Sequence, residues 1–307
     1  MKNIKIMKAL TVFSAALVFQ VFAATGAQAA ACSALTGSNV PAVVDGERGC
    51  TLTPTSLIFK IYELSLCTKA VTPTTSASEK AARCQTLFSS STGKDVDLTP
   101  GSVFNLDAGL SLTEGTYTHG LLKMNVNYSM KSQFQFLTTK RADTTAATNG
   151  AFCFSNGTDI TAAPSAGSAQ MTCHASAFST VANTGNFKTI GEPNSGSGFQ
   201  MNTQSPTLVI NGVSASTNLY ILDSDSTLST GDVTYSGSTP SLGSNTRTFI
   251  LADQTLATPV VVSPSTLGLD IQFNVTGSSS ILFDPGGSGT DIDANTFNGL
   301  LFLFSAN

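Results

Sequence analysis

Between Leu122 and Phe136 the chain alternates without a break. Met124, Val126, Tyr128, Met130, Ser132, Phe134 and Phe136 share one parity, and Lys123, Asn125, Asn127, Ser129, Lys131, Gln133 and Gln135 share the other. A period of two puts the apolar set on one side of an extended chain, whereas a helix would scatter it around the cylinder. Val, Tyr and Phe also pack well on a pleated surface. The stretch therefore predicts a half-buried strand, or a bent strand pair, whose Met/Val/Tyr/Phe side faces the core.

The rest of the chain is punctuated in the same way. Strand-like segments occur at Leu57 to Leu66, Val96 to Leu98, Val103 to Leu110, Ala151 to Phe154, Gln170 to His174, Pro206 to Ile210, Thr217 to Leu222, Asp232 to Tyr235, Arg247 to Leu251, Pro259 to Val262, Leu267 to Val275, Ser280 to Phe283 and Phe297 to Phe304. Turns rich in Asp, Asn, Ser, Gly and Pro separate them, as expected of a sandwich or jelly roll. One helix is expected: Ser76 and Glu79 have capping-box spacing, and good helix formers follow from Glu79 to Phe88. The fold class is thus all-β, an elaborated antiparallel β-sandwich or jelly-roll-like fold with one short helix.

The amino terminus reads as an export signal. Lys2, Lys5 and Lys8 precede a mainly apolar run from Ala9 to Ala24, and Gly26-Ala27-Gln28-Ala29 supplies small residues for cleavage. Cleavage after Ala29 defines residues 1–29 as a signal peptide, and no later stretch reads as a transmembrane segment. Ala29-Ala30-Ala31-Cys32 also offers a lipidation variant, although a lipoprotein box has Leu where Ala29 stands.

Six cysteines, at positions 32, 50, 67, 84, 153 and 173, read as three disulfides in an exported chain. Fifteen pairings are formally open. Proximity favours Cys32-Cys50, Cys67-Cys84 and Cys153-Cys173, and the absence of C-x-x-C spacing disfavours zinc. Loss of the leader removes three lysines and no acids, leaving a formal net charge of −7. Beyond Lys188 the only basic residue is Arg247, against nine acids. That balance excludes nucleic acid as an expected partner.

Residues 30–307 are read as one elaborated sandwich with a disulfide-bonded insertion around 138–190. The alternative is two sandwiches divided near 191–216, where a Gly/Ser-rich connection runs from Gly191 to Gly198. Val96-Asp97-Leu98, Asn105-Leu106 and Leu112-Thr-Glu-Gly115-Thr-Tyr117 before the long strand resemble a pattern in secreted transthyretin-like and immunoglobulin-like sandwich modules of bacterial surface proteins. The resemblance implies a sandwich in which Gly115 permits a turn and Tyr117 packs against a sheet edge; it implies no chemistry.

Catalytic signals are sparse. The two histidines, His119 and His174, have no G-x-S-x-G elbow to serve, so no catalytic residue is assigned. Gly286-Gly287-Ser288-Gly289 lacks the lysine of a phosphate cradle. No cofactor is expected apart from calcium, for which Asp284, Asp291 and Asp293 are the candidates because their carboxylates flank flexible glycines. Asp95 and Asp97, and Asp223 and Asp225, form further acid pairs. Asn127, Asn156 and Asn274 begin glycosylation-type triplets. With no Trp, a sugar-stacking platform would have to use Tyr117, Tyr128, Tyr220 or Tyr235.

Together these features point to an exported structural or adhesive protein in the periplasm, at the cell surface or secreted, and able to self-assemble. Its expected partners are copies of itself in an oligomer or surface polymer, or a glycan or other cell-surface component. A carbohydrate- or calcium-dependent binding module comes second and a secreted hydrolase third. The all-apolar run Gly299 to Phe304 reads first as a core strand closing the fold, and second as an edge offered to a neighbouring sheet.

Overall fold

A computed structural model describes residues 31–32, 43–44, 47–100, 103–105, 112–142, 149–157, 171–176, 179, 181–186, 203–204, 207–210, 213–228, 233–236, 239–242, 247–283, 291–297 and 300–306. The leader, the connection from Gly191 to Gly198 and Asp284 lie outside these residues. The described residues form strands and one helix, with sheets packed together, as the all-β reading expects.

The largest sheet is antiparallel and centres on β6 (Gly115–Lys131), which contains most of the alternating stretch. On one side of β6 lies β3 (Ser56–Cys67), followed by β4 (Cys84–Leu98) at the sheet edge. On its other side lie β16 (Arg247–Val262), then β13 (Val213–Asp223), which also pairs with β11 (Thr203–Gln204) and β12 (Thr207–Ile210). β10 (Asn183–Asn186) pairs with the far end of β6. The expected face is inward: Met124, Val126, Tyr128 and Met130 are buried, while Asn127 is exposed.

At Ser132 the alternation leaves this sheet. The chain continues as β7 (Gln133–Ala142) in a second sheet of order β1 (Val43–Val44), β2 (Glu47–Leu52), β18 (Ser279–Phe283), β19 (Asp291–Phe297), β7, β8 (Asn149–Ser155) and β9 (Met171–His174). The bent strand pair is thus one segment serving two sheets. Ser155 holds the bend, its backbone N–H donating to the Ser132 carbonyl (2.8 Å) and its Oγ accepting from the Ser132 N–H (3.3 Å). Within 138–190, β8 and β9 complete one end of the second sheet.

A third sheet, β20 (Leu301–Ala306), β17 (Leu269–Asn274) and β5 (Val103–Asn105), packs on the inner face of the first. Phe273, Phe302 and Ile271 meet Leu57, Phe59, Leu122 and Met124 there. Gly120 makes the approach possible: a Cβ on it would stand 2.4 Å from the Phe302 ring and 2.7 Å from that of Phe304. Gln254, 1 % exposed, locks the contact by donating to the Phe302 carbonyl (2.7 Å) and accepting from the Phe302 N–H (3.2 Å). The C-terminal run is therefore a core-closing strand whose outer backbone groups at Phe302 are already taken. Strands from both sides of 191–216 pair directly in all three sheets. The remaining pair, β14 (Val233–Ser236) and β15 (Thr239–Leu242), forms a separate hairpin.

Several boundaries differ from the sequence reading. Helix α1 (Ala77–Arg83) has the expected capping box, but it stops at Arg83 and does not reach Phe88. Cys84 is instead the Cα partner of Cys67 in the β3–β4 ladder, and pairing overrides the helical propensity of the residues after it. Val96 to Leu98 is the end of a fifteen-residue strand. Arg247 to Leu251 and Pro259 to Val262 belong to one strand that passes through an irregularity between Thr255 and Val260. Phe297 to Phe304 is split between β19 and β20.

All three disulfides form as proximity favours: Cys32–Cys50, Cys67–Cys84 and Cys153–Cys173. The latter two join directly opposed residues of neighbouring strands. Tyr117 is buried and its hydroxyl donates to the Thr113 carbonyl (2.8 Å), tying the start of β6 to the turn before it.

Candidate functional site

The polar chemistry of the described residues gathers on the outer face of the first sheet. β6 has odd-numbered residues on this face from His119 onward, while Gly120 and Leu122 face the core. Residues 68–83, closed at their base by Cys67–Cys84, fold over part of it. Val71 anchors this strap in a small apolar cluster with Leu121, Leu222 and Leu251. Lys80 of α1 reaches Glu63 of β3 at 2.6 Å.

Asp253 lies beneath the strap and is wholly buried. Its Oδ1 accepts from the Val71 N–H (3.3 Å), and its Oδ2 lies 3.3 Å from His119 Nδ1 but off line for a hydrogen bond. Burial pushes the carboxyl above the ordinary aspartate range, while His119, the Val71 N–H and the Asn218 side chain pull against that shift. His119, read from sequence as a strand or turn side chain, is on β6 and contacts a buried acid that sequence reasoning did not select. The only signal for Asp253 was its even spacing with Leu251 along a strand pattern that otherwise puts apolar residues there.

A second polar group adjoins this pair. Lys123 Nζ donates to Ser226 Oγ at 2.6 Å and lies 4.1 Å above the centre of the Phe249 ring. Ser226 is in the hairpin turn after β13, where its N–H donates to the Asp223 carbonyl and the Asp223 N–H donates to the Thr227 carbonyl, both at 2.9 Å. Its φ is 69°, and it is the only non-glycine residue with a positive φ among the described residues. Burial lowers the pKa of Lys123; Glu63 opposes this shift and Lys80 adds to it. Ser226 and Lys123 are 103 residues apart, so no local motif announced the pair.

Of the three calcium candidates, Asp284 lies outside the described residues. Asp291 and Asp293 lie two apart on β19, and Asp291 is opposite Arg141 of β7 in a parallel register. Among the described residues no group of three or more His, Cys, Asp or Glu is arranged to hold a metal. Asp95 lies 3.5 Å from Lys60, and Asp97 accepts from Ser56 Oγ at 2.8 Å, so this pair points into separate local contacts. Asp225 turns back to accept from Thr227. His174 stacks on Phe154, with ring centres 5.5 Å apart. Tyr117 and Tyr128 are buried, leaving no row of exposed tyrosines on β6.

Comparison with protein-family models, curated proteins and solved structures found no match. Among the described residues no helix is long and apolar enough to cross a membrane, a statement that does not bear on β-barrels. Three disulfides fit an oxidising environment.

Proposed function

We propose that this protein is an exported structural or adhesive component of a cell surface, built to join its sheet to that of a neighbour. The observation that carries this reading is β4. It ends the first sheet, runs for fifteen residues with a break in its ladder to β3 between Ser89 and Lys94, and has β3 as its only strand partner among the described residues. Its exposed side chains are Thr86, Ser89, Ser91, Thr92, Lys94, Asp95 and Asp97, so the edge is polar and carries both charge signs. A long edge strand is a template for another chain, and short polar side chains leave its backbone within reach. The disulfide-tied strands behind it supply the rigidity that a load-bearing unit needs.

Electron microscopy and sedimentation of the purified chain without residues 1–29 test this. Filaments, lattices or discrete oligomers are expected, and Ser91→Pro, at a position with no β3 partner, should abolish them while leaving the melting temperature unchanged. Monomers at every concentration, or assemblies indifferent to Ser91→Pro, would refute the role of β4.

A further inference from the structure

The turn after β13 places a serine where glycine is the usual choice. A residue that follows a tight turn in the left-handed region loses nothing if it is glycine, but a Cβ makes the conformation costly. Strain of this kind concentrates at sites where a side chain must be aimed. Here the strained residue aims its hydroxyl at a lysine amine 2.6 Å away. Among the described residues no carboxylate forms an ion pair with that amine; Glu63, opposite Lys123 in the β3–β6 ladder, is paired with Lys80. Ser226 itself is half-buried, at the rim and not in the core.

We propose that Ser226 is a nucleophile activated by Lys123 and accepts an acyl group from an ester. The neutral amine of Lys123 takes the hydroxyl proton as Ser226 Oγ forms a bond to the ester carbonyl carbon. The carbon–oxygen bond to the alcohol then breaks, and the departing oxygen receives the proton from Lys123, leaving an acyl-serine and a free alcohol. The charged groups acting on the amine are Glu63 from β3 and Lys80 from α1; Asp223 and Asp225 belong to the turn that carries Ser226, and Phe249 of β16 supplies an uncharged wall. Burial beside Phe249 and proximity to Lys80 favour the neutral amine, while Glu63 opposes it. The inference does not rest on the edge strand and survives if the chain is monomeric.

Incubation of the purified chain with 4-nitrophenyl acetate, followed by peptide mass spectrometry, tests it. Ser224 is exposed in the same turn and serves as an internal control. Ser226 should acetylate about tenfold or more faster than Ser224, and the excess should rise with pH as Lys123 loses its proton. Lys123→Arg keeps a cation and a donor but cannot give up its proton, so it should lose that excess at an unchanged melting temperature. Ser226→Gly should remove the modification and raise the melting temperature. Equal acetylation of Ser226 and Ser224, full reactivity in a folded Lys123→Arg protein, or acetylation of Lys123 instead of Ser226 would each overturn the proposal. Should Lys123→Arg fail to fold, the Ser226 to Ser224 ratio in the unaltered chain decides alone.

Discussion

Asp253 shows what one buried carboxyl does to the pH response of this fold. Its pKa is raised by burial, so the folded state prefers the protonated acid. That contribution is complete below the ordinary aspartate value of about 3.9 and fades as pH rises through the raised value. Asp253→Asn keeps an acceptor for the Val71 N–H and removes the charge. The melting temperature of this variant relative to the unaltered protein should therefore increase between about pH 4 and pH 7; thermal scans across that range check it, and a constant difference would contradict the assignment. Residue identity was readable in the sequence here, but partnership was not. His119 and Asp253 stand on different strands, and a sequence-local search for histidine chemistry has no means of joining them.

Strands and their junctions show where local pattern suffices and where it does not. Parity alone placed Met124, Val126, Tyr128 and Met130 on the core side, because a sheet face enforces the period of two. The capping box at Ser76 and Glu79 was equally legible, being a contact within one turn. The end of α1 was not, since Cys84 is held by a ladder partner seventeen residues earlier. β19 was overlooked because Asp291-Ile-Asp-Ala-Asn-Thr resembles a turn; pairing with β18 and β7 makes it a strand. Two substitutions probe the junction between the first and third sheets. Gln254→Ala leaves the Phe302 N–H and carbonyl buried without a partner and should cost about 2–4 kcal/mol, measured by urea denaturation. Gly120→Ala drives a methyl group into the Phe302 and Phe304 rings and should cost about 1–3 kcal/mol, with a larger loss in Gly120→Val.

For the whole molecule, the three sheets share segments from distant parts of the chain. Phe283 of β18 is opposite Arg48 of β2, and Val103 of β5 is opposite Gln272 of β17. Removing residues 300–307 takes Leu300 and Phe302 out of the largest apolar cluster and should abolish cooperative unfolding by circular dichroism. Cys67→Ala with Cys84→Ala releases the strap over Asp253 and should lower stability by about 3 kcal/mol, the scale expected for a loop of this length.

The disulfides have one more consequence, for the order of events as the polypeptide is made. Each bridge spans only 17 to 20 residues, and all three lie before position 174. A nascent chain can thus acquire every covalent crosslink within short neighbouring windows, with few rival thiols in view at any moment. The greasy centre, by contrast, waits for β17 and β20, which both lie beyond position 268. Oxidation secures the early parts, and only arrival of the carboxyl end turns them into a closed body.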